Sequence, residues 1–313
     1  MSLIKKPADI APAQVVKMLI YGQPGIGKTT VACSAKDAVL FDYDGGVNRI
    51  NPAHMIPTVQ IRTWEETGEA IAEIERDMPE VKTIVIDTVG KMLDFMSQSI
   101  MRTDVKLKQK DGTLSLKGYG VRKQKFIDFV NALSVKGWNV IFIAHEKEDR
   151  RGDDTVKRPE VGGSSANDLL KELDLVGYMQ SRNNVRTITF NPTDDFYAKN
   201  SCYIQDCVLP VVVDPSGLKS KPNTFMEDVI LGTFREQQKA HSDMKRKYHE
   251  LIEEIKSAVD MVVDIDELNL CREAVAGREV IFDSKIKAGE MLNEKAKALG
   301  ARYDKAAKSY VAA

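Results

Sequence analysis

Eight consecutive residues, Gly22-Gln23-Pro24-Gly25-Ile26-Gly27-Lys28-Thr29, constrain this chain more than any other feature. They satisfy the spacing G-x-x-x-x-G-K-[ST], and their context fits it, with the apolar run VKMLIY leading in and TTVACSAK leading out. Glycines at these positions let successive backbone N–H groups turn inward around a polyphosphate, and a helix N-terminus adds partial positive charge. Lys28 is then placed to reach the β- and γ-phosphates, and the Thr29 hydroxyl to hold magnesium. Gly22 through Thr30 form the expected phosphate-binding segment, and the expected ligand is a nucleoside triphosphate with Mg2+.

A strand–loop–helix entry of this kind belongs to an α/β fold, and the following residues agree. Strands are expected at Val15–Tyr21, Ala38–Asp42, Val59–Arg62, Thr83–Asp87, Asn139–Ala144, Leu175–Gln180 and Val185–Phe190. Helices are expected between them at Thr29–Lys36, Trp64–Met78, Met92–Met101 and Val121–Lys136. The runs VKMLIY, TIVID and NVIFIA are apolar throughout, as in central parallel strands buried on both faces. Two polar interruptions, Arg102–Gly120 and Glu146–Gly163, read as long loops, which are usually functional or disordered.

After Val208 the character changes: Pro210, Pro215 and Pro222 punctuate a connector, and Thr224–Ala313 is largely helical. Its helices are expected at Met244–Met261, Asp266–Ala276 and Ser284–Leu299. The expected organisation is an N-terminal extension (1–13), an ATPase-like core (14–232) and a smaller helical C-terminal region (233–313). A length of 313 residues accommodates this.

Composition excludes several classes. Basic and acidic residues nearly cancel, 45 against 46, so the chain is neither a polycation nor an acidic tail. No apolar run approaches the roughly 18 residues of a membrane span, and the N-terminus lacks an apolar leader, so a cytoplasmic protein is expected. Cys33, Cys202, Cys207 and Cys271 form no C-x-x-C pair and read as small apolar residues rather than a zinc site.

Other residues complete the phosphate site. Asp87 ends the apolar strand TIVID, where a carboxylate holds magnesium beside a phosphate loop. Many ATPases of this kind place a Glu next; here the position is Thr88, so the group that activates water must come from elsewhere. Asp44, just past the tip of the strand Val39–Asp42, is the candidate, with Asp42 as its rival. His145 follows the strand VIFIA and is placed to sense the γ-phosphate. The residue-level alternatives are a helix-capping Asp87, a turn carboxylate at Asp44 and a hydrogen-bonded strand-end His145.

Together these pieces resemble a RecA-type ATPase core over roughly residues 14–210. Asp42-Tyr43-Asp44 is similar to that family's acidic-x-acidic step, His145 to its polar sensor, and Gly162-Gly163 with the helix after it to the segment following its second DNA-binding loop. Within the family the chain resembles the phage nucleotide-binding ATPases, which include the RecA-like single-strand annealing proteins of phage recombination systems. In these a strand ending His-Glu-Lys is similar to His145-Glu146-Lys147. The resemblance implies ATP as the nucleotide, a homo-oligomer (filament or ring), phage recombination or replication proteins as partners, and the cytoplasm of a host bacterium. Asp44 stands where the family usually has Glu, and His145 where it often has Gln. Phe196-Tyr-Ala-Lys199-Asn200-Ser201 resembles an Ala-Lys-Asp-Arg segment without its arginine, leaving Lys199 as the candidate that reaches a neighbouring subunit's phosphate.

The case for DNA is local. Arg102, Lys106, Lys108, Lys110, Lys117, Arg122, Lys123 and Lys125 face only Asp104 and Asp111 in their stretch, at the position of the family's first DNA-binding loop. Such a segment provides salt-sensitive, sequence-independent binding of single-stranded DNA. Arg150 and Arg151 are further candidates in the second interruption, where acids and bases nearly balance, and basic residues outnumber acids from Lys285 to Lys308. The leading expectation is a Mg-dependent, DNA-stimulated ATPase that binds single strands and promotes annealing or exchange. The alternative is a weakly hydrolysing, nucleotide-switched scaffold that recruits partners through its C-terminal helices.

Overall fold

A computed structural model describes residues 5, 10–151, 154–162, 166–214 and 216–313. The chain divides into two compact units, Ala13–Gln237 and, at its C-terminal end, Gln238–Ala313.

The first unit is an α/β domain. In chain order it contains β1 (Lys17–Gly22), α1 (Lys28–Ala32), β2 (Ala38–Asp42), β3 (Thr58–Gln60), α2 (Trp64–Asp77), β4 (Thr83–Asp87), α3 (Val89–Thr103) and α4 (Leu116–Val135). There follow β5 (Asn139–Arg151), β6 (Asp154–Pro159), α5 (Ala166–Lys171), β7 (Leu175–Arg182), β8 (Val185–Thr189), β9 (Lys199–Asn200) and β10 (Cys207–Val208). The sheet runs β10-β8-β7-β1-β5-β4-β2-β3; β7, β1, β5, β4, β2 and β3 are parallel, and β8 and β10 add antiparallel edges.

Alternation along the central strands explains their unbroken apolar character. Leu19, Tyr21, Ile84, Ile86, Val140 and Phe142 point into one core with Met92, Met96, Phe126 and Val130. Met18, Ile20, Val85, Ile141 and Ile143 point into the other, with Val31, Phe225, Met226 and Ile230. Each such side chain, fully buried, contributes roughly 1.5–3 kcal/mol.

Three hydroxyls set helix starts. Thr63, Thr88 and Ser115 accept from the N–H of Glu66, Lys91 and Gly118, the N-cap pattern. Consequently α3 and α4 begin three and five residues before the apolar periodicity alone indicates.

The two expected long loops are more ordered than their polarity suggests. In the first, Leu107 and Leu114 are buried, and Lys108 bridges Leu114 before α4 begins. The second is an antiparallel ribbon: Glu146–Arg151 of β5 pairs with Asp154–Pro159 of β6. Opposite charges meet across it at Glu148 and Lys157, and Arg158 lies 3.9 Å from Asp149. The Gly-Gly cue falls at the edge of the described residues, with Gly163 outside them.

A π-helical stretch, Met226–Leu231, continues into α6 (Gly232–Met261), which ends in the C-terminal unit. That unit adds α7 (Ile265–Ala276), α8 (Ser284–Ala298) and a ribbon of β11 (Ala301–Asp304) and β12 (Ser309–Ala312). Its core gathers Ile255, Val259, Leu268, Ala288, Leu292 and Tyr310. The ribbon adds two short strands to a region expected to be largely helical. Asn269 holds it by bonding both the N–H and the carbonyl of Tyr310, and Asn293 accepts from the Tyr310 hydroxyl at 2.9 Å. Among the described residues no helix is long and apolar enough to cross a membrane.

Candidate nucleotide site

Strand order builds the site. Strand β5 lies between β1 and β4, so three strand tips align along the carboxyl edge of the sheet. Gly22 is in register with His145, Asp87 with Ile143, and Asp42 with Asp87. Ligands of open α/β sheets bind outside this edge.

The loop after β1 needs its glycines. A Cβ on Gly22 would sit 2.3 Å from the Met179 carbonyl oxygen of β7. Gly27 has φ +97°, and a Cβ there would meet Arg186 at 2.9 Å. The Lys28 ammonium, only 6% exposed, donates to the carbonyls of Gly22 at 2.9 Å and Gln23 at 2.8 Å. Burial lowers its pKa, opposed by the charges of Asp87 and Glu146.

The Thr29 hydroxyl donates to Asp87 Oδ2 at 2.7 Å, joining the two expected magnesium ligands. Burial raises the Asp87 carboxyl above the usual range, against the Thr29 hydrogen bond, and the nearby charges of Asp44 and Asp42 add to the rise. A site with this carboxylate surplus and hard oxygen donors fits a divalent cation. One hydroxyl and one carboxylate, with phosphate oxygens completing the shell, suit Mg2+, which rarely uses an all-protein cage. Accordingly, no group of three or more His, Cys, Asp or Glu side chains suited to a metal occurs among the described residues.

The structure separates Asp42 from Asp44. Asp42 is buried and accepts from the N–H groups of Gly46 at 3.0 Å and Val47 at 3.2 Å, so it clamps a turn. Asp44 remains in the cleft, held beside Asp87 by its N–H bond to the Asp87 carbonyl at 3.2 Å. Asp44, Lys28, Thr29, Thr30, Asp87 and His145 line one cleft of about 250 Å³, whose remaining wall includes Pro24, Gly25, Gly27 and Arg49. The Ile26 side chain is buried beneath it. A second cleft of about 310 Å³ shares Asp44 and His145 and adds Lys91, Asp94 and Glu160. His145 Nδ1 is buried without a hydrogen-bond partner among the described residues.

A phosphate-loop motif after β1, with the tips of β5 and β4 beside it on the carboxyl edge of a mostly parallel sheet, is the layout of a P-loop domain, and sequence comparison agrees. A family model described as AAA domain matches residues 14–202. The chain belongs to the AAA-domain family. It is also 22% identical over 256 residues, 76% of each chain, to the SPbeta prophage-derived uncharacterized protein YorG of Bacillus subtilis (strain 168). AAA-domain membership carries nucleotide binding and ATPase-type chemistry in general terms, without singling out the RecA-like annealing proteins. In this AAA domain Lys28 and the loop amides would hold the phosphates, Thr29 and Asp87 the Mg2+, and Asp44 would orient water. A bound cation would supply neutralisation of phosphate charge.

The remaining expected residues divide. Lys106, Lys108, Lys110, Lys117 and Arg150 are exposed and Lys123 is half-buried. The Arg151 side chain lies outside the described part. Arg122 departs from its expected place among DNA contacts: it is 4% exposed, with Nη1 on the Ser97 hydroxyl and Nη2 on the Gly162 carbonyl. Its guanidinium also covers the Tyr119 ring at 4.9 Å. Lys199 caps the end of α5, donating to the carbonyls of Lys171 at 2.9 Å and of Leu173. A trans role would require it to leave both. Two arginines escaped the sequence reading. Arg186 of β8 donates to the Ile26 carbonyl at 3.3 Å, and Arg49 lines the cleft. No motif spacing marks Arg186; Arg49 follows the Asp42–Gly46 turn closely enough to have been suspected.

Proposed function

We propose that this protein is an ATP-hydrolysing DNA recombination factor that binds single-stranded DNA and promotes annealing or strand exchange. The observation that carries the reading is the tethering of the basic segment to the edge of the sheet that holds the phosphate site. Arg102 is bound to Glu65 in the first turn of α2, just past the carboxyl end of β3, at 2.8 Å. Arg122 is bound to Gly162, a wall residue of the cleft that shares His145. The exposed Lys106, Lys108, Lys110 and Lys117 lie between these anchors. The prophage relative supports a phage setting, hence the cytoplasm of a host bacterium. The resemblance to RecA-type sites supports ATP with Mg2+ and a homo-oligomeric filament or ring working with phage recombination or replication proteins.

The test is ATP hydrolysis at low salt with and without single-stranded DNA, with Lys28→Ala as the blank. Stimulation by DNA that is lost in the Lys106→Ala/Lys108→Ala/Lys110→Ala variant supports the proposal. A rate indifferent to DNA, with no DNA binding, overturns it.

One observation favours the second reading, a nucleotide-switched scaffold. The C-terminal unit exposes Met261, Val263, Leu270, Val280, Phe282 and Ile286, apolar side chains that a protein partner could cover. Deletion of 238–313 that leaves nucleotide and DNA binding intact but abolishes partner capture would select this reading.

A further inference from the structure

We propose that Arg49 is the residue by which this site distinguishes a nucleoside triphosphate from a diphosphate, acting from within the same chain. The proposal rests on the reading of the cleft as a triphosphate site and assigns a role that no part of the phosphate-loop motif supplies.

The base on which Arg49 stands is rigid. Asp42 fixes the turn ahead of it through the N–H groups of Gly46 and Val47. The Arg49 N–H bonds the Gly46 carbonyl at 2.9 Å, closing a short 3-10 turn. The next residue, Ile50, is buried in the core that holds Val31 and Ile20. The backbone is thus pinned on both sides. The side chain is not: it is 78% exposed, and its ion pair among the described residues, Nη1 to Asp44 Oδ2, spans 3.8 Å. A pair this long and this solvated contributes at most about 1 kcal/mol.

Charge explains the use of such an arm. The wall of the cleft carries Lys28 and Arg49 against Asp44 and Asp87. Lys28 is held to the loop by the Gly22 and Gln23 carbonyls, within reach of the β- and γ-phosphates. The γ-phosphate brings further negative charge next to Asp44, the carboxylate that must stay ionised to orient water. Arg49 already rests on Asp44 and is planar and multidentate, so it can share its donors between that carboxylate and phosphate oxygens. A diphosphate offers it no such partner. Removing Arg49 takes away the cation paired with Asp44 and leaves that carboxylate facing the added charge of the γ-phosphate, a penalty that falls on the triphosphate alone.

The experiment is calorimetric titration of the full chain with Mg-ATPγS and Mg-ADP, for the unaltered protein, Arg49→Ala, Arg49→Lys and Lys28→Ala. Arg49→Ala should lose about 10-fold or more in affinity for ATPγS, as expected for one charge-assisted contact, while ADP affinity stays within about 3-fold. Arg49→Lys should recover part of the preference, and circular dichroism should show all variants folded. If Arg49→Ala weakens both nucleotides equally or neither, Arg49 does not read the γ-phosphate and the proposal fails. If Lys28→Ala also leaves both affinities unchanged, the triphosphate site itself has been misplaced, a failure distinct from the first.

Discussion

Thr29 and Asp87 come from elements 58 residues apart, yet the hydroxyl of one donates to the carboxylate of the other at 2.7 Å. The bond satisfies a half-buried carboxylate, and both partners are oxygen donors that Mg2+ would take. Burial makes ionised Asp87 costly to the folded chain. Its pKa is raised by burial, so the folded chain keeps the proton to a higher pH than the unfolded chain. The stability penalty is absent below the unfolded pKa, grows as pH rises through the interval between the two values, and is complete above the folded one. Asp87→Asn should raise the melting temperature of the nucleotide-free protein at about pH 7.5 and lose that advantage near pH 3–4. The same variant should lose Mg2+-dependent nucleotide binding. A variant less stable than the parent at neutral pH would contradict this account.

Asp44 and His145 form the wall shared by the two clefts, and their substitutions should separate binding from turnover. Asp44→Asn is expected to keep ADP affinity and lose about 100-fold or more in kcat, the contribution of a positioned base. His145→Ala should lower kcat by about 10-fold or more with nucleotide affinity changed less than about 3-fold. His145→Gln, which keeps a polar tip, should recover part of that loss. Steady-state kinetics beside equilibrium binding will show whether affinity and turnover part in this way.

Arg122 and the exposed lysines should behave as opposites although they share one basic stretch. Arg122→Ala removes bonds to Ser97 and Gly162 from a buried position and should destabilise the domain by about 2–4 kcal/mol. Lys106→Ala, Lys108→Ala and Lys110→Ala should each stay within about 0.5 kcal/mol of the parent while weakening DNA binding and flattening its salt dependence. Urea unfolding of the four single variants distinguishes the two groups.

The cysteines provide a probe of the phosphate loop. Cys33 caps α1 and is buried, which pushes its thiol up to about 12; Cys202 is likewise buried and pushed up to about 11. Cys207 and Cys271 are half-exposed. Maleimide labelling at about pH 7.5 should modify Cys207 and Cys271 first, because thiolate and access are both needed. Cys33 should react only as α1 opens, so Mg-ADP should slow its labelling further. Peptide mapping by mass spectrometry with and without nucleotide will measure both effects.

Local chemistry decided a large share of this protein. The phosphate loop, the strand ending in Asp87 and the unbroken apolar strands are short-range patterns, since a glycine spacing or a fully apolar run has few physical solutions. The sequence alone therefore determined the α/β domain and the positions of Lys28, Thr29 and Asp87 within it. What it left open depended on which distant groups meet. Asp42 and Asp44 are equivalent as letters, and only the turn amides of Gly46 and Val47 show that one is a clamp while the other stays in the cleft. Arg122 reads as one more basic residue until Ser97 and Gly162 are found at its fingertips. The β5–β6 and β11–β12 ribbons are built from charged or alanine-containing segments with weak strand signals, and they hold because cross-strand pairs and Asn269 satisfy their backbones. Arg49 follows the Asp42–Gly46 turn in sequence, but strand order is what sets that turn beside the phosphate loop. Burial and long-range hydrogen bonds are properties of the folded chain, and it was these that told a structural charge from a functional one.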